Sequence, residues 1–395
     1  GTFTATAGVG YFLNTTGGII TVNLPVGAAG SSVALADYAG TWQTNNVTVA
    51  ANGTEKIGGV DADITLSTEG QSVTFVYIDG TQGWVNVLDS TSNVRGNAYM
   101  IATGGTISCC GNDKIHKFTG PGTFTVCSVA VCAANNLVSY MVVAGGGGGG
   151  GYQLGGGGGA GGFRETKSPA TPYTASPLDG YATPGNRITV TATPYSIVVG
   201  GGGPGGGCGA NGTQGSTSTF STIDSAGGGY GAGINSAPGG DGGSGGGANA
   251  NGSAATGGSG DTPNVTPDQG FDGGAARVIP GDRGAGGGGG ATVIGQGGQP
   301  PYTGGNGGNG ATTCISGNPT TYAGGGGGGA SGCAPARGGS GGTGGGGNAQ
   351  DSGNPTADAG TVNTGGGGGG IDNCSSCKCA GSGGSGIVII RYRYQ

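Results

Sequence analysis

Four kinds of residue in this chain are of types that do chemistry. There is one histidine, His116, between Lys114 and Lys117. A Ser/His/Asp relay or a histidine-based metal site would have to use it, and the sequence offers no partner constellation around it. It is expected to be an ordinary surface residue. Ten cysteines form the second kind. Cys109 and Cys110 are adjacent, Cys127 and Cys132 are close, Cys374, Cys377 and Cys379 cluster, and Cys208, Cys314 and Cys333 stand alone. The Cys374-x-x-Cys377-x-Cys379 spacing suits a metal, but a structural zinc needs four ligands. An even number of scattered cysteines favours disulfides in an oxidising, extracellular setting. Two readings stand for Cys127 and Cys132: a bridge across a tight turn, or two unrelated thiols.

The third kind is carboxylate. Asp261, Asp268, Asp272 and Asp282 fall in one segment with Arg277 and Arg283. Paired acids for glycan cleavage need a rigid scaffold, and a solvated, turn-rich loop is the expectation. The glycine runs could suggest phosphate-binding loops. No Gly-Lys-Ser/Thr and no helix follows any of them, so they carry no such meaning. The fourth kind is aromatic: Tyr173, Tyr181, Phe271 and Tyr302 interrupt the glycines in proline-containing loops. Exposed aromatics on scaffolded loops suit glycan or protein binding. The alternative is that they pack over their own scaffold. No enzyme activity, cofactor or metal is expected.

What must position these residues is glycine. Of 108 glycines only 20 lie in residues 1–144. Beyond Ala144 come Gly145–Gly151, Gly155–Gly159, Gly286–Gly290, Gly324–Gly329 and Gly365–Gly370, with many shorter runs between. Glycine buries no side chain and costs the most backbone entropy to order. Such a chain either stays disordered or recovers the cost through its backbone. A polyproline-II-like glycine helix has three residues per turn and no internal hydrogen bonds, so its polar groups point sideways at neighbours. Runs of similar length separated by segments of different composition read as rods joined by loops rather than as a linker. Collagen is excluded, because no strict Gly-X-Y register exists.

Residues 1–100 read as an all-β module of sandwich or jelly-roll type. Short β-prone runs at Tyr11–Leu13, Ile19–Val22, Val33–Leu35, Val47–Val49, Ile64–Leu66, Val73–Ile78 and Trp84–Val87 are separated by turn residues. Residues 101–144 read as a hairpin of Ile115–Phe118 with Gly122–Val126 around Gly120-Pro121-Gly122, then a strand, Leu137–Ala144, that leads into the glycines. Residues 145–395 form the rod bundle, closed by the strand Ile387–Tyr392 pairing with Leu137–Ala144. Essentially no α-helix is expected. The net charge is −6 with 8% charged residues and no basic stripe; nucleic acid is an unsuitable partner. No apolar stretch is long enough to span a bilayer as a helix. Starting at Gly1 rather than Met, the sequence reads as a processed chain or a piece of a longer one.

From Ile115 to the end the chain resembles the glycine-rich domain of phage tail-fibre proteins. The resemblance rests on Ser139–Ala144 with its seven glycines, Gly161-Gly162-Phe163-Arg164, Ile197–Gly201, and Ser218–Ile223 with Ala226–Gly229. Thr321-Tyr322-Ala323, Val362-Asn363-Thr364 and the terminal Gly383–Tyr392 complete it. More loosely the chain is similar to the T-even-like distal adhesins, in which polyglycine II helices form a sandwich and connecting loops bind host receptors. Tyr11–Val87 resembles a β-module of marine phage fibre and baseplate-associated proteins, through Tyr11-Phe12, Thr21–Pro25, Asp37-Tyr38, Thr44-Asn45-Asn46 and Gln82-Gly83-Trp84. The resemblance implies a virion tail protein that attaches to a host receptor, a glycan or an outer-membrane protein. It implies other tail proteins as partners and a trimeric assembly. Cys374, Cys377 and Cys379 are not part of the family's pattern. A spacer without receptor contact is the alternative. An ice-binding protein is a third, and the irregular loops argue against the flat repeated face it needs.

Overall fold

The computed structural model describes all residues except 91–98, 152, 208, 234–236, 254, 332–336, 351–355 and 373–378. The chain divides into two compact units, Gly1–Gly96 and Asn97–Gln395. Among the described residues there is no α-helix, only strands and three short 3-10 turns.

The first unit holds β1 (Thr2–Thr4), β2 (Val9–Leu13), β3 (Ile20–Asn23), β4 (Ser32–Asp37), β5 (Val47–Ala50), β6 (Ile64–Leu66), β7 (Ser72–Asp79) and β8 (Gly83–Ser90). Two four-stranded sheets, β1-β3-β5-β6 and β2-β4-β7-β8, enclose one core. Every strand expected from the sequence is present, and β1 is additional. The first five strands alternate between the sheets and pair in parallel, β1 with β3, β3 with β5 and β2 with β4. This winding departs from the antiparallel ladders of a jelly roll. Alternation in β4 puts Val33, Leu35 and Asp37 inward. The buried Asp37 earns its place through hydrogen bonds: it accepts from the N–H groups of Gly40, Thr41, Trp42 and Gly70. Burial pushes its carboxyl up, these donors outweigh it, and the net shift is downward.

The second unit begins with β9 (Ile101–Thr103), β10 (Thr106–Cys110), β11 (Asp113–Phe118), β12 (Gly122–Ser128), β13 (Leu137–Val143), β14 (Phe163–Thr166), β15 (Ile188–Thr189), β16 (Pro194–Val198), β17 (Ser218–Phe220) and β18 (Ile223–Ser225). Two hairpins and a closing strand follow: β19 (Arg277–Ile279) with β20 (Asp282–Gly284), β21 (Ala311–Thr313) with β22 (Thr320–Tyr322), and β23 (Ile387–Arg393). As expected, β13 and β23 pair antiparallel, Val142 opposite Val388. They are the centre of the sheet β10-β11-β23-β13-β14. The expected hairpin of Ile115–Phe118 with Gly122–Val126 is not formed. β11 pairs with β10 and β23, whereas β12 joins a second sheet, β18-β17-β16-β12-β9. The turn at Gly120 crosses between sheets because Phe118 and Phe124 both bury in the core the sheets share. Residues 101–144 lie in the second unit together with the glycine-rich part they lead into.

The rods grow out of these strands. Gly145, Gly148 and Gly151 donate to the carbonyls of Ser216, Thr213 and Ala210; Gly146 and Gly149 to Gly384 and Gly381; Gly147 and Gly150 to Gly159 and Gly156. Successive residues thus address three different neighbours and return to the same one every third residue. That is the signature of a three-fold backbone helix. The carbonyls of the same run accept from Gly228 and Gly231, from Gly203 and Gly206, and from Gly368. Three neighbours take its N–H groups and three others supply its C=O groups, so the rod is surrounded on six sides by backbone. Gly155–Gly159 and Gly324–Gly329 have the same environment. The former donates to Gly286, Gly368 and Gly229 and accepts from Gly150, Gly247 and Gly326; the latter donates to Gly308, Gly158 and Gly347 and accepts from Gly367, Gly342 and Gly288. The long uninterrupted runs are interior rods, as is the mixed stretch 242–250, whereas rods such as 200–207 and 304–310 lie outside.

A missing Cβ is what allows this packing. At Gly146 and Gly149 a Cβ would stand 2.1 Å from the carbonyl oxygens of Gly366 and Gly369. The hydrogen in its place points at that oxygen, a weak Cα–H···O contact worth about 0.5–1 kcal/mol. A backbone hydrogen bond adds a net of about 0.5–1.5 kcal/mol against about 1–2 kcal/mol to order a residue. A lone rod is not stable on these terms, and surrounding neighbours are required. Outer rods use a three-residue rhythm. Along Gly200, Gly203 and Gly206 the buried positions recur every third residue, with Gly201, Pro204 and Gly207 turned away from the interior. In Gly304–Gly310 the exposed Asn306 and Asn309 accept from the N–H groups of Ser340 and Thr343 on the next rod.

This geometry predicts opposite effects for one substitution at two glycines. At Gly157 a Cβ would meet the Gly326 oxygen at 2.1 Å, whereas at Gly201 it would meet nothing within 4 Å. Gly157→Ala is expected to destabilise by about 3 kcal/mol or more through overpacking, and Gly201→Ala to stabilise by about 0.4–1 kcal/mol by restricting the unfolded chain. Equilibrium denaturation of both variants checks it; equal effects would contradict the rod packing.

Candidate functional site

The bundle has two ends. Its strand end carries the sheets, the β17–β18 and β21–β22 hairpins and the segment 261–269. Gly151 and Gly155 stand at the opposite end, on either side of the first rod-to-rod turn. Hydrogen bonds link Gly155 to Gly329, Gly329 to Ala285, and Ala285 to Gly305. The β19–β20 hairpin and the loop 299–303, which lead into Ala285 and Gly305, therefore lie together at this far end.

Four residues singled out in the sequence, Arg277, Asp282, Arg283 and Tyr302, converge there. Arg277 and Asp282 pair across the hairpin at 2.9 Å. The other Asp282 oxygen accepts from the Tyr302 N–H at 2.7 Å, which fastens the loop 299–303 to the hairpin. That N–H, with Arg277 adding to it, holds the Asp282 carboxyl below its usual value. Tyr302 follows the Pro300–Pro301 pair, has φ of 49° and is 45% exposed. The Arg283 backbone N–H donates to Ser331 Oγ at 3.2 Å. The exposed Arg337 joins the patch, its carbonyl accepting from Gly304. The far end thus offers guanidinium groups and a phenol on short loops pinned to rods. Such a surface recognises by hydrogen bonding and stacking.

The other nominated residues lie elsewhere. Tyr173 is half-buried against the sheet at the strand end, donating to Glu165 at 3.2 Å beneath the Arg391 guanidinium at 5.0 Å. Burial pushes its hydroxyl pKa far up. Tyr181 is also at the strand end, with the Arg187 guanidinium 4.4 Å over its ring. Phe271 sits within a rod, its N–H bonded to Gly290 and its carbonyl to Gly245. The segment from Asp261 to Arg283 is not one loop. Phe271, Gly273 and Gly274 thread it through the bundle as a rod, so its two ends emerge on opposite sides. Asp261 accepts from the N–H groups of Val265 and Gln269, and Asp272 from Gly260. Both acids hold backbone, and neither shares a site with Asp282.

His116 is a second correction: it is fully buried rather than on the surface. Its place in β11, opposite Ile390 of β23, turns it into the core. Nδ1 lies 2.7 Å from the Gly104 carbonyl and Nε2 3.2 Å from the Tyr392 hydroxyl, with Phe124 edge-on to the ring. The carbonyl can only accept, so Nδ1 carries the proton and Nε2 accepts from Tyr392. Cys127 and Cys132 are free, exposed thiols, as is Cys379, so the bridged reading of the first pair is set aside. β12 ends at Ser128, and a 3-10 turn over Ala133–Asn136 intervenes before β13 instead of a tight turn. Cys374 and Cys377 lie outside the described residues. Among the described residues no group of three His, Cys, Asp or Glu side chains could hold a metal.

Residues 119–393 match the glycine-rich domain family. The chain belongs to that family. No curated protein matches its sequence. The match spans the glycine-rich domain from β12 to β23, and so includes the strands as well as the rods.

Sequence reading missed the buried polar core of the domain. Arg391 and Asp113 form a buried ion pair at 2.7 Å. Glu165 accepts from Tyr173, from the Ser176 N–H and from Thr313. Burial raises the Glu165 carboxyl pKa despite these donors. The sequence signal available was charge inside two strong β-strands, at Arg164-Glu165 and Arg391.

His116 sets a pH dependence. Burial lowers its pKa below the ordinary 6.5. The unfolded chain then binds the proton first, so stability falls as pH drops below about 6.5, by at most ~1.4 kcal/mol per pH unit, until the folded-state pKa is passed. His116→Gln should flatten the stability profile between pH 7 and 5. A variant with the wild-type slope would assign the effect to other groups.

Proposed function

We infer that this protein is a host-attachment component of a phage tail fibre or tail tip. The observation that carries the reading is the separation of roles along the bundle. The interior is backbone packed on backbone, while Arg277, Arg283, Arg337 and Tyr302 gather on the β19–β20 hairpin and neighbouring loops at the end away from the main sheets. In this reading the rods are scaffold and the far-end loops contact a cell-surface receptor, a glycan or an outer-membrane protein. Loops can then change without disturbing rod contacts, because the interior rods bond backbone to backbone. The first unit mounts the protein on its tail partners, in a homotrimer, and no catalysis is involved. The particle, outside the cell, is where it acts.

Competition tests this. Soluble protein added before phage should reduce adsorption to the host. Arg283→Ala combined with Tyr302→Ala should lose most of that inhibition, with unfolding midpoints unchanged. A spacer would leave adsorption untouched at any concentration. Replacing only residues 279–281 at the hairpin tip should spare folding, whereas exchanging 261–283 would remove a rod.

A further inference from the structure

A cleft of about 370 Å³ opens at the strand end, far from the loops discussed above. Leu137, Ser168, Pro169, Ala170, Tyr181 and Arg393 line it. Its volume is within the range of small-ligand sites. The register of the sheet explains its position. Residues 387, 389, 391 and 393 of β23 share one face, which the β21–β22 hairpin and the chain between β14 and β15 cover. Ser139 stands opposite Arg391, so Leu137 and Arg393 form the next rung out, where the cover ends.

The two arginines on this face have different environments. Arg391 is committed: it pairs with Asp113, donates to the carbonyls of Cys314 and Ile315, and lies over Tyr173. Arg393, one rung out, is half-exposed. Its Nε donates to the Gln395 carbonyl at 3.2 Å, and its guanidinium is 5.9 Å from the Tyr99 ring centroid. Among the described residues no side-chain carboxylate pairs with it. Arg393 lines the cleft, and among the described residues neither Nη has a hydrogen-bond partner, which leaves the pair of donors that suits a carboxylate. Across the cleft, the Tyr181 ring is held by Arg187 and by the Asp179 carboxylate on its own N–H. Pro169 and Ala170 supply an apolar wall beside it. A fixed aromatic ring, a small apolar wall and a guanidinium with its Nη donors uncommitted together match a ring with a C–H face and one carboxylate.

We propose that this cleft binds an acidic saccharide residue, a uronate or sialate. Arg393 holds its carboxylate, and Tyr181 with Pro169 takes the apolar face of its ring. The choice of a saccharide among carboxylates rests on the attachment reading; the site itself rests on the cleft. It would make the strand end a second receptor contact, separate from the far-end loops.

Titration of the full chain with glucuronate, N-acetylneuraminate, glucose and acetate, followed by calorimetry or ligand-observed NMR, tests it. At least one acidic sugar should bind about 10-fold or more tighter than both glucose and acetate, as expected when a charge-assisted pair and ring contact act together. Arg393→Gln should remove that preference and Tyr181→Leu should weaken acidic-sugar binding, each with an unchanged unfolding midpoint. Should Arg393→Gln fail to fold, Arg393→Lys, which keeps the charge but not the fork, should still lower affinity. Equal binding of acetate, equal binding of glucose, or acidic-sugar binding indifferent to the Arg393 and Tyr181 variants each overturns the proposal, as does no binding of either acidic sugar. Adsorption assays are read separately. Acidic-sugar binding without competition for adsorption would keep the cleft and remove the attachment reading; competition without sugar binding would do the reverse.

Discussion

The second unit depends on one constraint: a backbone that makes no hydrogen bonds within itself must find all of them in other segments. In an α-helix the N–H and C=O groups close on the same element. In a three-fold glycine rod they leave at three angles, and each must meet a different neighbour. The run Gly145–Gly151 meets this by giving to three rods and taking from three others. Such an arrangement is cooperative by construction. Removing one rod exposes donors or acceptors on every rod beside it, and unmet buried groups are expensive.

The strands relieve the entropic difficulty of starting such a bundle. β13 and β23 hold the first and last rods at a fixed spacing, and both faces of their sheet are buried in apolar clusters. Val142 and Val388 are followed and preceded by rods that hydrogen-bond to each other, since Gly146 donates to Gly384. The conventional hydrophobic core thus organises a bundle that has little side-chain core of its own. Polar residues at the outer rods complete it. Asn306, Asn309, Asp272 and Asn348 each accept from an N–H group of an adjacent chain segment that would otherwise look outward.

This division of labour bears on function. A scaffold fixed by backbone geometry makes few demands on the chemistry of its connections. The hairpin carrying Arg277 and Asp282 and the loop carrying Tyr302 are joined by side-chain contacts, while the rods beneath them are joined mainly through backbone. The strand end is different: there Arg391, Asp113, Glu165 and Tyr173 are locked into buried pairs, and only the outermost rung, with Arg393, opens to solvent.

Several features were determined by the sequence alone. The change in glycine content at Ala144, the long uninterrupted runs and the matching apolar strands at either end already imply rods closed by a sheet, because residues without Cβ have little but backbone to pack with. The period-two patterns of the first unit likewise mark its strands. What the tertiary structure decided was adjacency. His116 and Lys117 look alike in their local sequence, and only pairing with β23 turns the histidine inward. Asp261 and Arg283 are near in sequence yet emerge at opposite ends, because the few glycines between them are a rod. Tyr173 became part of a buried network and Tyr302 stayed exposed, though both follow prolines in loops. The glycines state that neighbours are required; which segments become those neighbours is set by how the rods are stacked, and no single stretch of sequence contains that information.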